Sequence, residues 1–173
     1  MNSPEYIRCS SCGDEVTPDS EFCPHCGSLF AEAGSLKCDN HRIAEAEGIC
    51  IICRALLCRE CGKEVHGKFF CHDHTTVEVQ QDWASVFQSS DINDSALVKA
   101  FLESNGFKVL VQNFNSIGFV WDGGGDSSLS RSALSKPAKV FVPIPEYLKA
   151  EAALREWKSG EAETEDKELD SRT

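Results

Sequence analysis

Four pairs of metal-ligating residues fall within the 37 residues from Cys38 to His74, and they constrain this chain more than any other feature. Each pair encloses two residues, a spacing that lets both side chains reach one tetrahedral ion from a single tight turn. Because a tetrahedral ion needs two such turns, four turns make two sites. The pairs are Cys38–His41, Cys50–Cys53, Cys58–Cys61 and Cys71–His74.

The order of the pairs predicts how the two sites share them. Only four residues separate Cys53 from Cys58, a short link for two turns that would have to fold back on one ion. An interleaved arrangement, first pair with third and second with fourth, is easier to build. It predicts one zinc on Cys38, His41, Cys58 and Cys61, and a second zinc on Cys50, Cys53, Cys71 and His74.

These spacings resemble the B-box zinc finger, a cross-braced module that holds two zincs. The matching part is Cys-x2-His at 38–41, eight residues, Cys-x2-Cys at 50–53, four residues, and Cys-x2-Cys at 58–61. Animal B-boxes close with two histidines, whereas this chain offers His66 and then Cys71 and His74, which resembles the variant of bacterial B-box-like proteins. We expect Cys71 and His74 to be ligands, with His66 in place of one of them as the alternative.

Two further turns lie nearer the N-terminus and are separated by ten residues, namely Cys9–Cys12 and Cys23–Cys26. Gly13 and Gly27 follow them, where glycine relieves the backbone strain of wrapping a metal. The pattern resembles a short zinc ribbon over residues 5–30, with residues 17–20 as the turn between two short strands. Four thiolates close the coordination shell, so this site is expected to be structural. A thioredoxin-type redox pair would need a βαβ unit, which 30 residues cannot supply.

The ligand count supports three zinc ions. Ten cysteines with His41 and His74 give twelve ligands, four for each ion, and no cysteine is left over. The first 75 residues contain few large apolar side chains, and a structural metal offsets such a deficit. The N-terminal residues show no signal peptide, which favours metal over disulfides and a cytoplasmic location. Residues 27–37 and 75–81 are expected to be linkers around a two-zinc module at 36–76.

The C-terminal half contains no cysteine and predicts an α+β domain over residues 82–157, in the order β-α-β-β-β-α. Strands are expected at 83–87, 107–112, 117–121 and 139–142. One helix is expected at 93–104, capped near Asp91, with an apolar face of Leu97, Val98, Phe101 and Leu102. A second helix should begin near Pro145, with Tyr147, Ala150, Leu154 and Trp157 on one face. The charged residues 158–173 predict a disordered acidic tail.

This half resembles a small bacterial family, the prokaryotic signal-transducing domain. The matching segments are AFLESNGFKVLVQN at 100–113 and KVFVPIPEYLKAEAAL at 139–154. The resemblance implies a ferredoxin-like fold and a role in binding a ligand or a protein, with no reaction attached. With the cysteines assigned to zinc, the sequence shows neither a Ser-His-Asp nor a Cys-His arrangement, so we expect no enzyme activity.

Charge narrows the choice of partner. The formal net charge is −11, and only residues 36–76 approach balance, with six basic and six acidic residues. Phosphate-backbone binding needs clustered Lys and Arg, so nucleic acid and membrane surfaces are poor candidates. The sequence predicts a zinc-binding protein-interaction or signalling adaptor with an unidentified protein partner. The alternatives are a ubiquitin-ligase-like protein acting through the B-box, and a nucleic-acid-binding regulator acting through the ribbon.

Overall fold

The structure, a computed structural model, describes residues 6–30, 36–113 and 136–170, with side chains as far as Gly160. The chain divides into two compact units, Met1–Val77 and Glu78–Thr173. The first unit therefore contains both the ribbon and the two-zinc segment, which we expected as the separate domains 5–30 and 36–76. None of the helices in the described residues is long and apolar enough to span a membrane.

Over residues 6–30 and 36–77 the first unit contains three short antiparallel hairpins. Strand β1 (Ile7–Arg8) pairs with β2 (Glu15–Val16), and β3 (Gly48–Ile49) pairs with β4 (Leu56–Leu57), so each hairpin encloses one Cys-x-x-Cys turn. Strand β5 (Gly62–Val65) pairs with β6 (Lys68–Cys71). The loop of this third hairpin is His66-Gly67, with φ of 50° and 72°. Two consecutive positive φ values are typical of a type I′ hairpin turn, whose twist matches that of the strands.

The ribbon strands differ from the expected arrangement. A turn does form at residues 17–20, where the backbone N–H of Ser20 donates to the carbonyl of Thr17 at 3.1 Å. It does not join two paired strands, however, because β2 pairs backwards with β1, and Phe22 after the turn bridges Leu29 instead of β2. The β1–β2 pair flanks the Cys9–Cys12 turn and the Phe22–Leu29 bridge flanks the Cys23–Cys26 turn. Each of these pairings brings the two cysteines of its own turn together.

In the described residues of the second unit, a four-stranded antiparallel sheet is accompanied by two helices. The strands are β7 (Val79–Gln80), β8 (Trp83–Ser89), β9 (Leu110–Gln112) and β10 (Ala138–Pro143), in the order β7-β8-β10-β9. Since β8 and β9 are both antiparallel to β10, they run parallel to each other on either side of it. Helix α1 (Ile92–Ser104) connects them, which gives a split β-α-β unit. A 3-10 turn, Ile144–Glu146, leads into α2 (Tyr147–Asp170).

The helices pack largely as their sequences predict. The Asp91 carboxylate caps α1 by accepting a hydrogen bond from the Asn93 N–H at 2.8 Å, and Phe101 stacks on Trp157 of α2 with ring centroids 4.7 Å apart. Leu97 is the exception, because its side chain is 55% exposed. The buried face of α1 is Ser95, Val98 and Leu102, a stripe narrower than the expected four-residue set.

Two expectations for the second unit meet a different outcome, and a third falls on residues that the structure does not describe. Strand β7 lies where we expected a linker, because the positive φ of Gln81 (52°) folds residues 79–80 back onto β8. Helix α2 continues to Asp170 where we expected disorder from Lys158, because the Glu, Lys and Ala residues of this segment are good helix formers that extend an existing helix at little cost. The expected strand at 117–121 lies outside the described residues.

Candidate metal centres

The structure gathers the twelve expected ligands into three groups of four: Cys9, Cys12, Cys23 and Cys26; Cys38, His41, Cys58 and Cys61; and Cys50, Cys53, Cys71 and His74. Within each group the ligand atoms all lie within 4.8 Å of one another. The groups interleave as the spacing indicated, with the first pair of the two-zinc segment joining the third and the second joining the fourth. Three tetrads that can each bind a zinc ion are therefore present.

The ribbon centre is built from two matching turns. Cys9 Sγ lies 3.7 Å from Cys26 Sγ, and Cys12 Sγ lies 3.6 Å from Cys23 Sγ. In each turn the glycine after the second cysteine donates its N–H to the carbonyl of the first, from Gly13 to Cys9 and from Gly27 to Cys23, both at 2.9 Å. These glycines have φ of 81° and 84°, a conformation that strains any residue with a Cβ. The two turns therefore present their sulfurs in the same way.

The centre at Cys38 joins a turn before β3 to a turn after β4. The Nδ1 atom of His41 lies 3.4 Å from Cys58 Sγ and 3.3 Å from Cys61 Sγ. Asp39 fixes this turn to the hairpin, because its N–H donates to the Leu56 carbonyl and its carboxylate accepts from the Leu56 N–H, at 2.9 and 2.8 Å. In the sequence this residue is visible only as an Asp inside the Cys-x-x-His turn. The spacing of the ligands did not predict that Asp39 would hold the turn to the hairpin.

The centre at Cys50 joins the β3–β4 turn to the end of the third hairpin. Cys53 Sγ lies 3.9 Å from Cys71 Sγ, and His74 Nδ1 lies 3.7 Å from Cys50 Sγ and 3.0 Å from Cys71 Sγ. His74 reaches the group from a 3-10 turn, His72–His74, that directly follows β6. His66, the alternative ligand, belongs to none of the three groups and lies at the tip of the β5–β6 hairpin.

These distances fit zinc. A tetrahedron with Zn–S bonds of about 2.3 Å and Zn–N bonds of about 2.0 Å has edges of roughly 3.8 Å between sulfurs and 3.5 Å between sulfur and nitrogen. The separations between ligand atoms, from 3.0 to 3.9 Å, lie around these edges, and thiolates with imidazole are the donors that zinc prefers. Because the chain supplies all four ligands in every group, each centre has the closed coordination of a structural site.

Backbone N–H groups prepare some of the sulfurs for a cation. Burial raises the pKa of the Cys9 thiol, but the N–H groups of Cys12 and Ser11 outweigh it and lower the pKa to about 7. Ser11 N lies 3.4 Å from Cys9 Sγ. The pKa of Cys58 is also lowered, since the N–H groups of Cys61 and Glu60 outweigh the effect of burial. At least one sulfur in each of these two centres is thus favoured as the thiolate that binds metal.

Other thiols shift in the opposite direction. Burial raises the pKa of Cys53 to about 12, and the negative charge of a Cys50 thiolate adds to this shift while the Ala55 N–H opposes it. Without a cation, the neighbouring thiols of one centre cannot all ionise together, because their thiolates would repel one another. The positive charge of a divalent ion offsets this repulsion and lets the remaining thiols lose their protons, so metal binding and proton release are linked.

This linkage predicts how acid acts on the metal centres. Above about pH 7 Cys9 is ionised, whereas Cys53 keeps its proton until zinc displaces it. For each proton that zinc must displace, the affinity for zinc falls about tenfold per unit fall in pH. We expect zinc to be released progressively as the pH falls from about 7.5 to about 5. A chromogenic chelator measures the release, with total zinc by elemental analysis as the control. Full retention of zinc at about pH 4 would contradict the proposed ligand set.

Of the three metal centres, the ribbon centre matches a known protein family. A family model described as a zinc-ribbon domain matches residues 5–30. No curated protein and no solved structure matches the chain. The ribbon match and the two further Cys/His tetrads together show that the N-terminal unit consists of small zinc-binding modules, followed by a mixed α/β region with a four-stranded sheet.

Proposed function

We propose that this protein is a non-enzymatic adaptor in which three zinc ions shape a surface that binds another protein, in a signalling role. The observation that carries the proposal is the closed coordination of all three tetrads, because each group already supplies four ligands. A catalytic zinc keeps one position for water or substrate, whereas a zinc with four protein ligands holds the backbone in place. The metals are then scaffolding for recognition.

The module at residues 36–76 is the first recognition element in this proposal, as a B-box-type zinc finger. Its support is the interleaving of the Cys38 and Cys50 groups, which is how a cross-braced finger uses its ligand pairs. The interleaving places the β3–β4 hairpin between the two centres, since its turn carries Cys50 and Cys53 and β4 leads directly to Cys58. A surface on this module is consequently fixed by both metal centres. A surface that is already ordered loses less conformational entropy when a partner binds.

Ile43 is the anchor that we propose for the partner. Its side chain is 92% exposed, although it lies in a constrained turn two residues after the ligand His41. Two hydrogen bonds fix this turn, from the Cys38 N–H to the Ala44 carbonyl and from the Ala44 N–H to the His41 carbonyl, both at 3.0 Å. An apolar side chain on a rigid turn can be buried by a partner with little loss of conformational freedom, as at the hot spots of protein interfaces.

The second unit is the other recognition element, for a ligand or protein of its own, as a ferredoxin-like signal-transducing domain. The split β-α-β unit of β8, α1 and β9 around β10, followed by α2, supports this assignment. Strand β7 pairs with the free edge of β8 and so completes a four-stranded sheet. The commitment of all ten thiols to metal suits a reducing compartment, and we propose that the protein works in the cytoplasm.

Paired variants test the anchor. Ile43→Glu should abolish retention of a discrete protein partner by zinc-loaded full-length protein, while zinc stoichiometry stays at the wild-type value because the side chain is exposed. Leu97→Glu is the matched control, since Leu97 is another exposed apolar residue but lies on α1 of the second unit. We expect Leu97→Glu to bind the partner as wild type does, with both variants measured by affinity capture and then by calorimetry with the captured protein.

Other outcomes would contradict the proposal in distinct ways. Loss of binding only in Leu97→Glu would move recognition to the second unit and overturn Ile43 as the anchor. Salt-sensitive retention of DNA or RNA, with no protein partner, would favour a nucleic-acid-binding regulator. Specific binding of a ubiquitin-conjugating enzyme, with transfer of ubiquitin, would favour the ligase alternative and overturn the non-enzymatic assignment.

A further inference from the structure

The second turn of the ribbon is hydrogen-bonded to the two-zinc module. The carbonyl of Cys26 accepts from the Phe69 N–H at 2.9 Å, and the carbonyl of Gly27 accepts from the Ile49 N–H at 2.8 Å. The next residue, Ser28, makes a β-bridge with Gly48. These contacts involve main-chain atoms on both sides, so they fix the backbone of a ribbon metal turn against strands β3 and β6.

The residues that receive these bonds are neighbours of one particular metal centre. Ile49 directly precedes Cys50, and Phe69 lies two residues before Cys71 on the same strand. The Phe69 carbonyl in turn accepts from the Ile51 N–H at 3.0 Å, and Ile51 lies between the ligands Cys50 and Cys53. A continuous set of main-chain bonds therefore joins the Cys23–Cys26 turn to the segments that carry three of the four ligands of the Cys50 centre.

Side chains reinforce the same contact. Lys68 Nζ donates to the carbonyl of His25, inside the ribbon turn, at 2.9 Å. The Arg54 guanidinium lies over the Phe22 ring, 5.4 Å from its centroid, a cation–π geometry. Arg54 directly follows Cys53, and Phe22 directly precedes Cys23, so this pair also joins residues adjacent to ligands of the two centres.

Phe69 fills the space between the ribbon and the hairpins. A Cβ added at Gly48 would lie 2.7 Å from the Phe69 ring, and one added at Gly27 would lie 3.0 Å from the Phe69 Cβ and would overlap the Ile49 carbonyl oxygen. The close approach of the chains thus depends on glycine at these positions. The Cys38 centre is one strand further from the ribbon, because β4 lies between β3 and its ligand Cys58.

We infer that the ribbon centre and the Cys50 centre bind zinc cooperatively, while the Cys38 centre is coupled to the ribbon more weakly. An ion in the ribbon holds the Cys23–Cys26 turn in the shape that accepts the bonds from Phe69 and Ile49, which fixes the turns that carry Cys50 and Cys71. Coupling between binding sites is reciprocal, so an ion in the Cys50 centre stabilises the ribbon equally. The inference rests on zinc occupancy of the tetrads and goes beyond it by linking two of them.

Two glycine variants isolate the contact. Gly27→Ala and Gly13→Ala place the same methyl group at equivalent positive-φ positions of the two ribbon turns, so the local backbone strain is matched. Only the Gly27 methyl meets the module, since a Cβ at Gly13 has nothing within 4 Å. Any difference between the variants at the Cys50 centre therefore reports the contact rather than the strain.

The experiment follows zinc loss cysteine by cysteine. Zinc-loaded full-length protein is challenged with EDTA, samples are alkylated in short pulses, and mass spectrometry maps the modified cysteines. In Gly27→Ala we expect Cys50, Cys53 and Cys71 to lose protection about tenfold faster than in wild type, within the range of typical coupling between sites. The change at Cys38, Cys58 and Cys61 should be smaller, and Gly13→Ala should affect the Cys50 centre much less than Gly27→Ala does, since it weakens the ribbon ion but leaves the contact intact.

Each other result has a defined meaning. Equal effects of Gly27→Ala and Gly13→Ala on the Cys50 centre, or no effect of Gly27→Ala there, would overturn the coupling. If Gly27→Ala does not fold, Arg54→Gln replaces it, with Arg59→Gln as the control, and the same ordering is expected on a smaller scale. Zinc content of wild type is measured first: fewer than three ions contradicts the metal assignment itself, whereas three ions with unchanged protection contradicts only the coupling.

Discussion

Removing zinc with EDTA at neutral pH is expected to unfold the first unit and leave the second unit folded. Each structural zinc contributes roughly 10–16 kcal/mol to folding, and a unit of this size has a small core of its own. In the ribbon that core consists of Cys9, Val16, Cys23 and Cys26, with Phe30 packed against it, so the ligands themselves form most of it. Loss of the ions removes the metal–ligand bonds that hold these side chains together, and the small core is lost with them.

Hydrogen exchange and tryptophan fluorescence separate the two units. All three tryptophans, Trp83, Trp121 and Trp157, belong to the second unit, so their emission should not change on chelation. Amide exchange over residues 6–77 should become fast, and EDTA already saturated with zinc is the control. Protection of residues 6–77 that survives complete zinc removal would contradict a metal-dependent fold.

Replacing Phe141 with alanine is expected to destabilise the second unit and leave the first unit and its zinc ions unchanged. Phe141 is fully buried in β10, at the centre of the sheet between β8 and β9, and truncation of such a residue costs about 3–5 kcal/mol. Urea unfolding followed by tryptophan emission should show this loss, while zinc stoichiometry stays at the wild-type value.

The neighbouring residue Leu110 supplies the control for this variant. Leu110 pairs with Phe141 on β9 but is 41% exposed, so Leu110→Ala should cost about 1 kcal/mol or less. Similar losses for the two substitutions would show that the Phe141 side chain does not lie in the core of the sheet. Loss of zinc in Phe141→Ala would contradict the separation of the chain into two stable units.

The metal centres follow from the sequence because covalent spacing determines them. Two ligands enclosing two residues must share a turn, and the four-residue link between Cys53 and Cys58 favours the interleaving that the structure shows in the Cys38 and Cys50 groups. The cap at Asp91 and the helix start near Pro145 were also predictable, because both depend on neighbours in the sequence. Local chemistry of this kind needs no knowledge of the tertiary fold.

The features that the sequence did not reveal depend on contacts between distant segments. Docking of the ribbon turn on Phe69 and Ile49 uses main-chain groups, which leave no pattern in the side chains. Strand β7 has only two residues and exists because β8 pairs with it. The exposure of Leu97 depends on how α1 is rotated against the sheet, which periodicity alone determines only to within about one residue. The extension of α2 depends on the helix already formed before it.

Cadmium-113 NMR of the cadmium-substituted protein tests the central claim most directly, because the shift of each ion reports its number of thiolate ligands. Three tetrads with ten sulfurs and two imidazole nitrogens predict three signals, one from a four-thiolate site and two from sites with three thiolates and one histidine. Fewer than three signals, or a different division of sulfur and nitrogen among them, would contradict the assignment of the twelve ligands.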